Sequence, residues 1–153
     1  MGSSEHADAP PRGCTHLKLR QASRRVTRHY EGFLAGTGLK ITQYSLLSYV
    51  VKLGPVGAGE LAAAMQLDAS TLSRNLRPLL HQGLLQMHPG SDARSRVVET
   101  TDTGRALRNK AQRAWKLAQQ ALNQRLGVAR VAALHTLLDE CLPLLDTAGA
   151  DHD

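Results

Sequence analysis

The side chains best suited to chemistry lie close together in residues 69–82. Hydroxyl, amide and guanidinium groups recur there at helical spacing, at Ser70, Thr71, Ser73, Arg74, Asn75 and Arg77. Such groups hydrogen-bond base edges or phosphates, and arginine can contact guanine or phosphate with two parallel bonds. The opposite stripe is apolar and consists of Leu72, Leu76, Leu79 and Leu80. We predict an amphipathic helix with one buried face and one nucleic-acid face; the alternative is a Ser/Thr-rich surface helix.

A basic hairpin is predicted directly after this helix. Residues 84–88 and 96–100 have the composition of short strands, and turn-forming residues fill the segment between them. Asp92 and Arg94 lie in the turn, and Arg96 begins the second strand. A hairpin with a basic tip after a helix-turn-helix is a wing, whose arginine can enter a narrow, negative minor groove.

The elements that must position these groups are predicted from apolar spacing. A first helix over 14–35 ends at Gly36–Gly38. A second runs from 43 to 53, with Thr42 as its cap and Ile41 and Leu46 as a hydrophobic staple. A short helix over 60–65 is followed by a tight turn without glycine, and Asp68 caps the helix over 69–82. The two short helices form a helix-turn-helix.

Two longer helices complete the chain. One is capped by Thr101 or Asp102 and extends to about Leu126, with apolar residues spaced alternately by four and three. The last follows Gly127 and carries valines and leucines on one side, at Val128, Val131, Leu134, Leu138, Leu142 and Leu145. The predicted fold is mainly α with a small β-hairpin wing, in the order α-α-α-α-β-β-α-α.

The predicted domain organisation is one winged helix-turn-helix domain over residues 13–147. Within this domain, residues 40–100 contain the predicted helix-turn-helix and wing, and we expect 1–12 and 148–153 to be disordered tails. A chain of 153 residues suits one domain.

Charge and composition narrow the function classes. The chain carries a formal charge of +6, and residues 70–113 hold eight Lys/Arg against three Asp/Glu. Clustered arginine of this kind is typical of a polyanion binder. Neither an apolar run of membrane-spanning length nor an apolar N-terminal stretch is present, so we expect a cytoplasmic protein without a membrane partner. Cys14 and Cys141 offer neither a disulfide framework nor a closely spaced thiol pair.

A set of motifs resembles the MarR (multiple-antibiotic-resistance regulator) family over about residues 14–146. The motifs, in chain order, are Leu39-x-x-Thr42-Gln43-x-x-Leu46-Leu47, Glu60-Leu61-Ala62, Thr71-Leu72-Ser73-Arg74-Asn75-Leu76, Gly83-Leu84, Asp92-x-Arg94-Ser95-Arg96 and Thr101-x-x-Gly104. The resemblance implies a homodimeric transcriptional regulator, most often a repressor, that binds a pseudo-palindromic operator in double-stranded DNA. Residues 40–100 would be the DNA-binding lobe, and the helices over residues 14–36 and 101–147 would form the dimer interface.

The resemblance also implies residue roles. Arg94 would be the minor-groove arginine, and Asp92 and Arg96 would shape the wing tip. The hydroxyls and arginines of residues 69–82 would meet the major groove and its phosphates.

Release of DNA by a small aromatic or anionic ligand, or by cysteine oxidation, is a further implication. Candidate effector-binding residues are His16, Arg20, Arg24, Tyr44 and Trp115, since a guanidinium beside aromatic rings suits an aromatic carboxylate. Ordinary core and surface roles explain the same residues. Cys14, at the predicted start of a helix and near basic residues, is a candidate oxidant sensor or simply an interface cysteine.

Other function classes have less support in the sequence. No catalytic, metal or cofactor motif is recognisable, so we expect no enzyme, metal or cofactor. The alternative to a regulator is a helical protein-interaction module that keeps the fold without sequence-specific DNA binding.

Overall fold

The computed structural model describes residues 10–146, which form six α-helices, a 3₁₀ turn and three short strands. They are α1 (Thr15–Leu34), the 3₁₀ turn (Ala35–Thr37), α2 (Ile41–Leu53), β1 (Val56–Gly57), α3 (Ala58–Ala64), α4 (Ala69–His81), β2 (Leu85–Pro89), β3 (Arg96–Thr100), α5 (Asp102–Leu126) and α6 (Val128–Asp146). The predicted fold class is confirmed. Of the predicted tails, residues 10–12 are exposed, whereas 1–9 and 148–153 lie outside the described residues.

A closed apolar core joins α2, α3, α4 and the sheet. The leucine stripe of α4 faces this core as predicted, with Leu72, Leu76 and Leu79 buried and Leu80 half-buried. Leu47 from α2, Leu61 from α3 and Val98 from β3 are fully buried in the same cluster. Because one face of α4 is buried here, its polar face is turned outward.

The sheet has three antiparallel strands in the order β1-β3-β2, one more than the sequence predicted. The hairpin pairs Leu85 with Thr100 and Pro89 with Arg96. The missed strand, β1, consists of two residues, of which Val56 pairs with Val98. Its pairing fixes the chain between α2 and α3 against the base of the hairpin.

The predicted start of α2 is wrong. The helix begins at Ile41, so Thr42 lies inside it and does not cap it. Instead, the backbone N–H of Lys40 donates to Oε1 of Gln43 at 3.0 Å. The staple positions shift with the helix start and are occupied by Leu39 and Tyr44, both buried in the core.

The turn between α3 and α4 works without glycine because Gln66 itself adopts a left-handed conformation, with φ of 53°. A non-glycine residue there is uncommon but allowed. Leu67 follows and donates its N–H to the carbonyl of Ala62 at 2.9 Å. The helix-turn-helix is therefore closed by backbone hydrogen bonding.

The start of α5 is tied to the turn after α4. Thr101 is the cap, since its Oγ1 accepts the N–H of Gly104 at 3.0 Å; Asp102 is the first helical residue, so the alternative cap is wrong. Thr101 Oγ1 also donates to the carbonyl oxygen of Gly83 at 2.6 Å. A Cβ at position 104 would lie 1.9 Å from the carbonyl oxygen of Leu84, so only glycine permits this approach.

The helices α1 and α5 pack side by side. His29 Nε2 lies 2.8 Å from the carbonyl oxygen of Ala118, and the Tyr30 hydroxyl donates to Gln119. Residues earlier in α1, such as Val26, instead line a groove with Leu122 near the C-terminal end of α5. The two helices are therefore antiparallel.

The last helix is largely uncovered. On α6, Val131 is buried, whereas Leu137 and Leu145 are 58% and 66% exposed. Among residues 10–146, no helix combines the length and hydropathy that a membrane crossing requires.

Candidate nucleic-acid interface

The polar face of α4 carries all six side chains predicted to contact nucleic acid. Ser70, Ser73, Arg74 and Arg77 are exposed, and Thr71 and Asn75 are half-buried. The structure brings them together on one outward surface, because the leucines between them anchor the other face of α4 in the core. We call this surface, residues 70–77 of α4, the α4 polar face.

A hydrogen-bond network organises the front of this face. Asp68 caps α4, and its Oδ1 accepts the N–H of Thr71 at 2.7 Å, as predicted. Oδ1 also accepts the hydroxyl of Ser70 at 2.7 Å, and Oδ2 accepts the hydroxyl of Thr71 at 2.8 Å. Both hydroxyl protons are therefore engaged by Asp68, so toward DNA these hydroxyls offer lone pairs rather than protons.

The same network stabilises the charged form of Asp68. The hydroxyl of Ser70, the backbone N–H of Thr71 and the hydroxyl of Thr71 lower the pKa of Asp68 to about 2 from its usual 3.8, with a smaller contribution from the charge of Arg74. Hydrogen bonds to the charged form favour that form. The sequence predicted the cap but not the two hydroxyl contacts.

The wing tip is shaped by Asp92, as the motif implied. Its Oδ1 accepts the backbone N–H groups of Arg94 at 2.8 Å and of Ser95 at 2.9 Å. Within residues 10–146 the guanidinium of Arg94 has no hydrogen bond, and its side chain is exposed. Arg96 is also exposed, at the start of β3. The tip therefore presents arginine from a turn fixed by a carboxylate.

Solved structures of transcriptional regulators share this fold. No protein-family model matches the chain. A MarR-family regulator from Rhodococcus sp. RHA1 has 24% identity and a TM-score of 0.70, covering 84% of this chain and 92% of its own. The M. tuberculosis transcriptional regulator MosR, solved in complex with DNA, has 31% identity and a TM-score of 0.71, covering 85% of this chain and 99% of its own. This chain belongs to the MarR family of transcriptional regulators.

Two further comparisons agree with MarR-family membership. A mutant E. coli MarR, complexed with operator DNA, has 22% identity and a TM-score of 0.76 over 84% of this chain and 93% of its own. An uncharacterized HTH-type transcriptional regulator of Bacillus subtilis is 26% identical over 84 residues. That match spans 55% of this chain and 61% of the relative's length. The expectation that the chain is not an enzyme agrees with its similarity to MosR, a transcriptional regulator that it covers over 99% of its length at 31% identity.

A cross-strand contact on the wing was missed from the sequence. Nε2 of His88 lies 3.0 Å from Oε2 of Glu99, and Gln86 donates to the same oxygen at 3.4 Å. The register of the hairpin, which pairs Gln86 with Glu99, would have indicated it. In the described part of the chain, no three His, Cys, Asp or Glu side chains are grouped to hold a metal ion.

The five effector-binding candidates of this MarR-family chain do not form one cluster. Tyr44 and Trp115 stack with ring centroids 6.1 Å apart. Because α1 runs antiparallel to α5, the residues of α1 before His29 lie progressively further from Trp115. These residues include Arg24, Arg20 and His16, all exposed.

A polar contact joins α2 to α5. Nε of Arg108 on α5 donates to Oγ of Ser48 on α2 at 3.3 Å. This half-buried contact joins the lobe to the long helix. It was not predicted from sequence, because the two residues are sixty positions apart.

A cavity of about 470 Å³ lies between α3, α4 and the hairpin. Its apolar lining includes Ala62, Leu76 and Met87, and Arg77 and Arg96 also contribute to it. The volume is within the range typical of small-molecule pockets. Two of the predicted DNA-contacting arginines therefore also line a ligand-sized cavity.

Proposed function

We propose that this MarR-family chain is a homodimeric repressor that binds a pseudo-palindromic operator in double-stranded DNA. The observation that carries the proposal is that one lobe exposes both the α4 polar face and the arginine of the wing tip, while the other face of α4 is buried in the core. MosR and the mutant MarR are both described as DNA complexes. Their likeness to this chain supports the same partner.

Each half of the dimer would place α4 in a major groove and the wing in the flanking minor groove. Arg74 and Arg77 would contact guanine edges and phosphates. Arg94 would enter the minor groove, with Asp92 holding the tip. Ser70 and Thr71 would accept rather than donate, since Asp68 takes their protons.

The dimer would form through α1, α5 and α6. Leu134, Leu137 and Cys141 recur along α6 at spacings of three and four and are exposed in the single chain. Such a seam is typical of helix–helix association. Residues 40–100 would then be the DNA-binding lobe and 14–36 and 101–147 the dimerisation helices.

An effector would act by favouring a dimer whose two α4 helices are wrongly spaced for consecutive major grooves. One candidate signal is a small aromatic or anionic ligand near the Tyr44–Trp115 pair, with the α1 residues joining it only if the second copy brings them there. The other is oxidation of Cys14, which is exposed just before α1.

Selection from a random duplex library with the full-length chain tests the proposal. We expect an enriched sequence with two inverted half-sites, centred about one helical turn apart, and a complex containing two chains. An enriched half-site without symmetry would contradict the homodimer. Failure to enrich any sequence, with capture of a protein partner instead, would favour the protein-interaction module.

A further inference from the structure

We propose that Asp68 is a positioning residue for sequence reading, which holds the guanidinium of Arg74 in place through the hydroxyl of Thr71. The inference rests on the proposed function, since it concerns how the α4 polar face discriminates among DNA sequences. It assigns Asp68 a role beyond capping the helix.

The direction of the hydrogen bonds carries the argument. The hydroxyl of Thr71 has a single proton, and that proton goes to Oδ2 of Asp68 at 2.8 Å. Its lone pairs therefore remain for Nη2 of Arg74, which donates to Oγ1 of Thr71 at 3.4 Å. The chain Asp68–Thr71–Arg74 runs in one direction only, because an ionised carboxylate accepts and never donates.

The charge of Asp68 maintains this direction at neutral pH. The carboxylate accepts three hydrogen bonds, from the hydroxyl of Ser70 and from the N–H and hydroxyl of Thr71. These hydrogen bonds lower its pKa to about 2, and the carboxylate is ionised under the conditions in which DNA is bound. A neutral cap could hold the helix start equally well, since Asn, Ser and Asp cap with similar strength.

The two arginines of α4 differ in how they are held. The guanidinium of Arg74 is tied to Thr71, whereas the guanidinium of Arg77 has no hydrogen bond within the described part of the chain. A pre-oriented guanidinium loses less rotamer freedom when it makes a bidentate contact. Arg74 is therefore suited to a fixed base edge, and Arg77 to a phosphate whose position varies.

Asp68 also carries a cost that a mere cap would avoid. Its exposed negative charge lies where phosphates approach and repels every duplex alike. Removing the charge should raise affinity for scrambled DNA while the preference for the correct base falls. Loss of discrimination with a gain in non-specific affinity separates positioning from helix capping.

The test uses three variants of the full-length chain. Asp68→Asn keeps a cap but removes the charge, and Thr71→Val removes the hydroxyl while keeping its shape. Asp102→Asn is the matched control, because it removes an exposed carboxylate from the first turn of a helix outside the α4 polar face. Fluorescence anisotropy measures binding to the selected duplex and to duplexes with one base pair changed in each half-site. Circular dichroism melting measures stability.

We expect Asp68→Asn and Thr71→Val each to reduce discrimination at one base pair about tenfold, within the range for one bidentate contact. Asp102→Asn should keep wild-type discrimination. In an Arg74→Ala background, neither substitution should reduce discrimination further, since the group that it positions is absent.

Three results would overturn the inference. If Asp68→Asn and Thr71→Val both keep wild-type discrimination, with or without a lower melting temperature, Asp68 serves only as a helix cap. Loss in Asp68→Asn but not in Thr71→Val would exclude the link through Thr71. Equal losses in the Arg74→Ala background would exclude Arg74 as the positioned group. If the wild-type chain prefers the selected duplex and the variants show the same preference, only the inference is contradicted. If the wild-type chain itself shows no preference, the proposed function is contradicted as well.

Discussion

The lobe of residues 40–100 and the last helix bury their apolar side chains to very different extents. In the lobe, Leu47, Leu79 and Val98 are completely buried by other parts of the same chain. On α6, Leu137 is 58% exposed and Leu145 is 66% exposed. The lobe therefore completes its core within one chain, whereas α6 carries apolar side chains that one chain does not cover.

This difference separates two sources of stability. Burial of the lobe leucines is independent of protein concentration, because no second molecule takes part. Burial of the α6 leucines would require association, so its contribution depends on concentration. Exposed apolar surface of this extent marks an interaction site in most proteins. We therefore expect a substitution in one region to leave the stability of the other unchanged.

The largest effect is expected from a charge in the uncovered face of α6. Leu137→Glu should convert the dimer to a monomer at micromolar concentration and abolish operator binding, because a buried unpaired carboxylate is costly. Sedimentation velocity and anisotropy measure the two effects. The matched control is Ala132→Glu, an exposed position on a different side of α6; it should remain dimeric. A dimeric Leu137→Glu variant would remove this face from the interface.

A cavity in the lobe should destabilise each chain by itself. Leu79→Ala is expected to lower the free energy of unfolding by about 2–5 kcal/mol, the usual cost for a fully buried leucine. Urea denaturation at several protein concentrations measures it. The loss should be the same in the Leu137→Glu monomer as in the wild type. A loss that disappeared in the monomer would mean that the lobe core depends on the dimer.

The wing should affect DNA binding without affecting either core. Arg94→Ala is expected to weaken operator binding by about 1–3 kcal/mol, as for one specific groove contact. Arg113→Ala, an exposed arginine on α5, is the control and should have a much smaller effect. Anisotropy at fixed salt measures both. Equal losses in the two variants would indicate general charge attraction and no special role for the wing.

The smallest effect concerns the pH dependence of the lobe. The folded-state pKa of Asp68 is about 2 and its unfolded value is 3.8. A lowered folded pKa means that the cap stabilises the fold above pH 3.8 and that this contribution is lost as the pH falls toward 2. Asp68→Asn should therefore flatten the acid dependence of unfolding in this interval. An unaltered acid profile would contradict the observed hydrogen bonding of Asp68.

Local signals explain why most elements could be predicted from the sequence. The leucine stripe of α4 indicates the helix in which it lies, and Gly83, with φ of 70°, marks the end of that same helix. Asp68 and Thr101 cap the helices that directly follow them. The misplaced start of α2 was also a local error, because Gln43 reaches back to Lys40 without a capping side chain at that position.

Features that depend on distant residues could not be predicted in the same way. β1 is only two residues long and exists because Val56 meets Val98 on β3. The link from Ser48 to Arg108 and the cavity behind α4 likewise depend on packing between elements. For the candidate site, the residue types could be predicted from the sequence. The hydrogen bonds of both hydroxyls to Asp68 could not, because they depend on the side-chain conformations of Asp68, Ser70 and Thr71.

The measurement that tests the central claim most directly is a competition titration by fluorescence anisotropy. The labelled probe is the duplex upstream of the protein's own coding region, and the competitor is the same duplex with its sequence scrambled. We expect binding at nanomolar protein near physiological salt, with at least about a thousandfold preference for the unscrambled sequence. Equal affinity for both duplexes, falling steeply with salt, would contradict sequence-specific binding to this duplex. It would indicate that the protein binds DNA only as a polyanion.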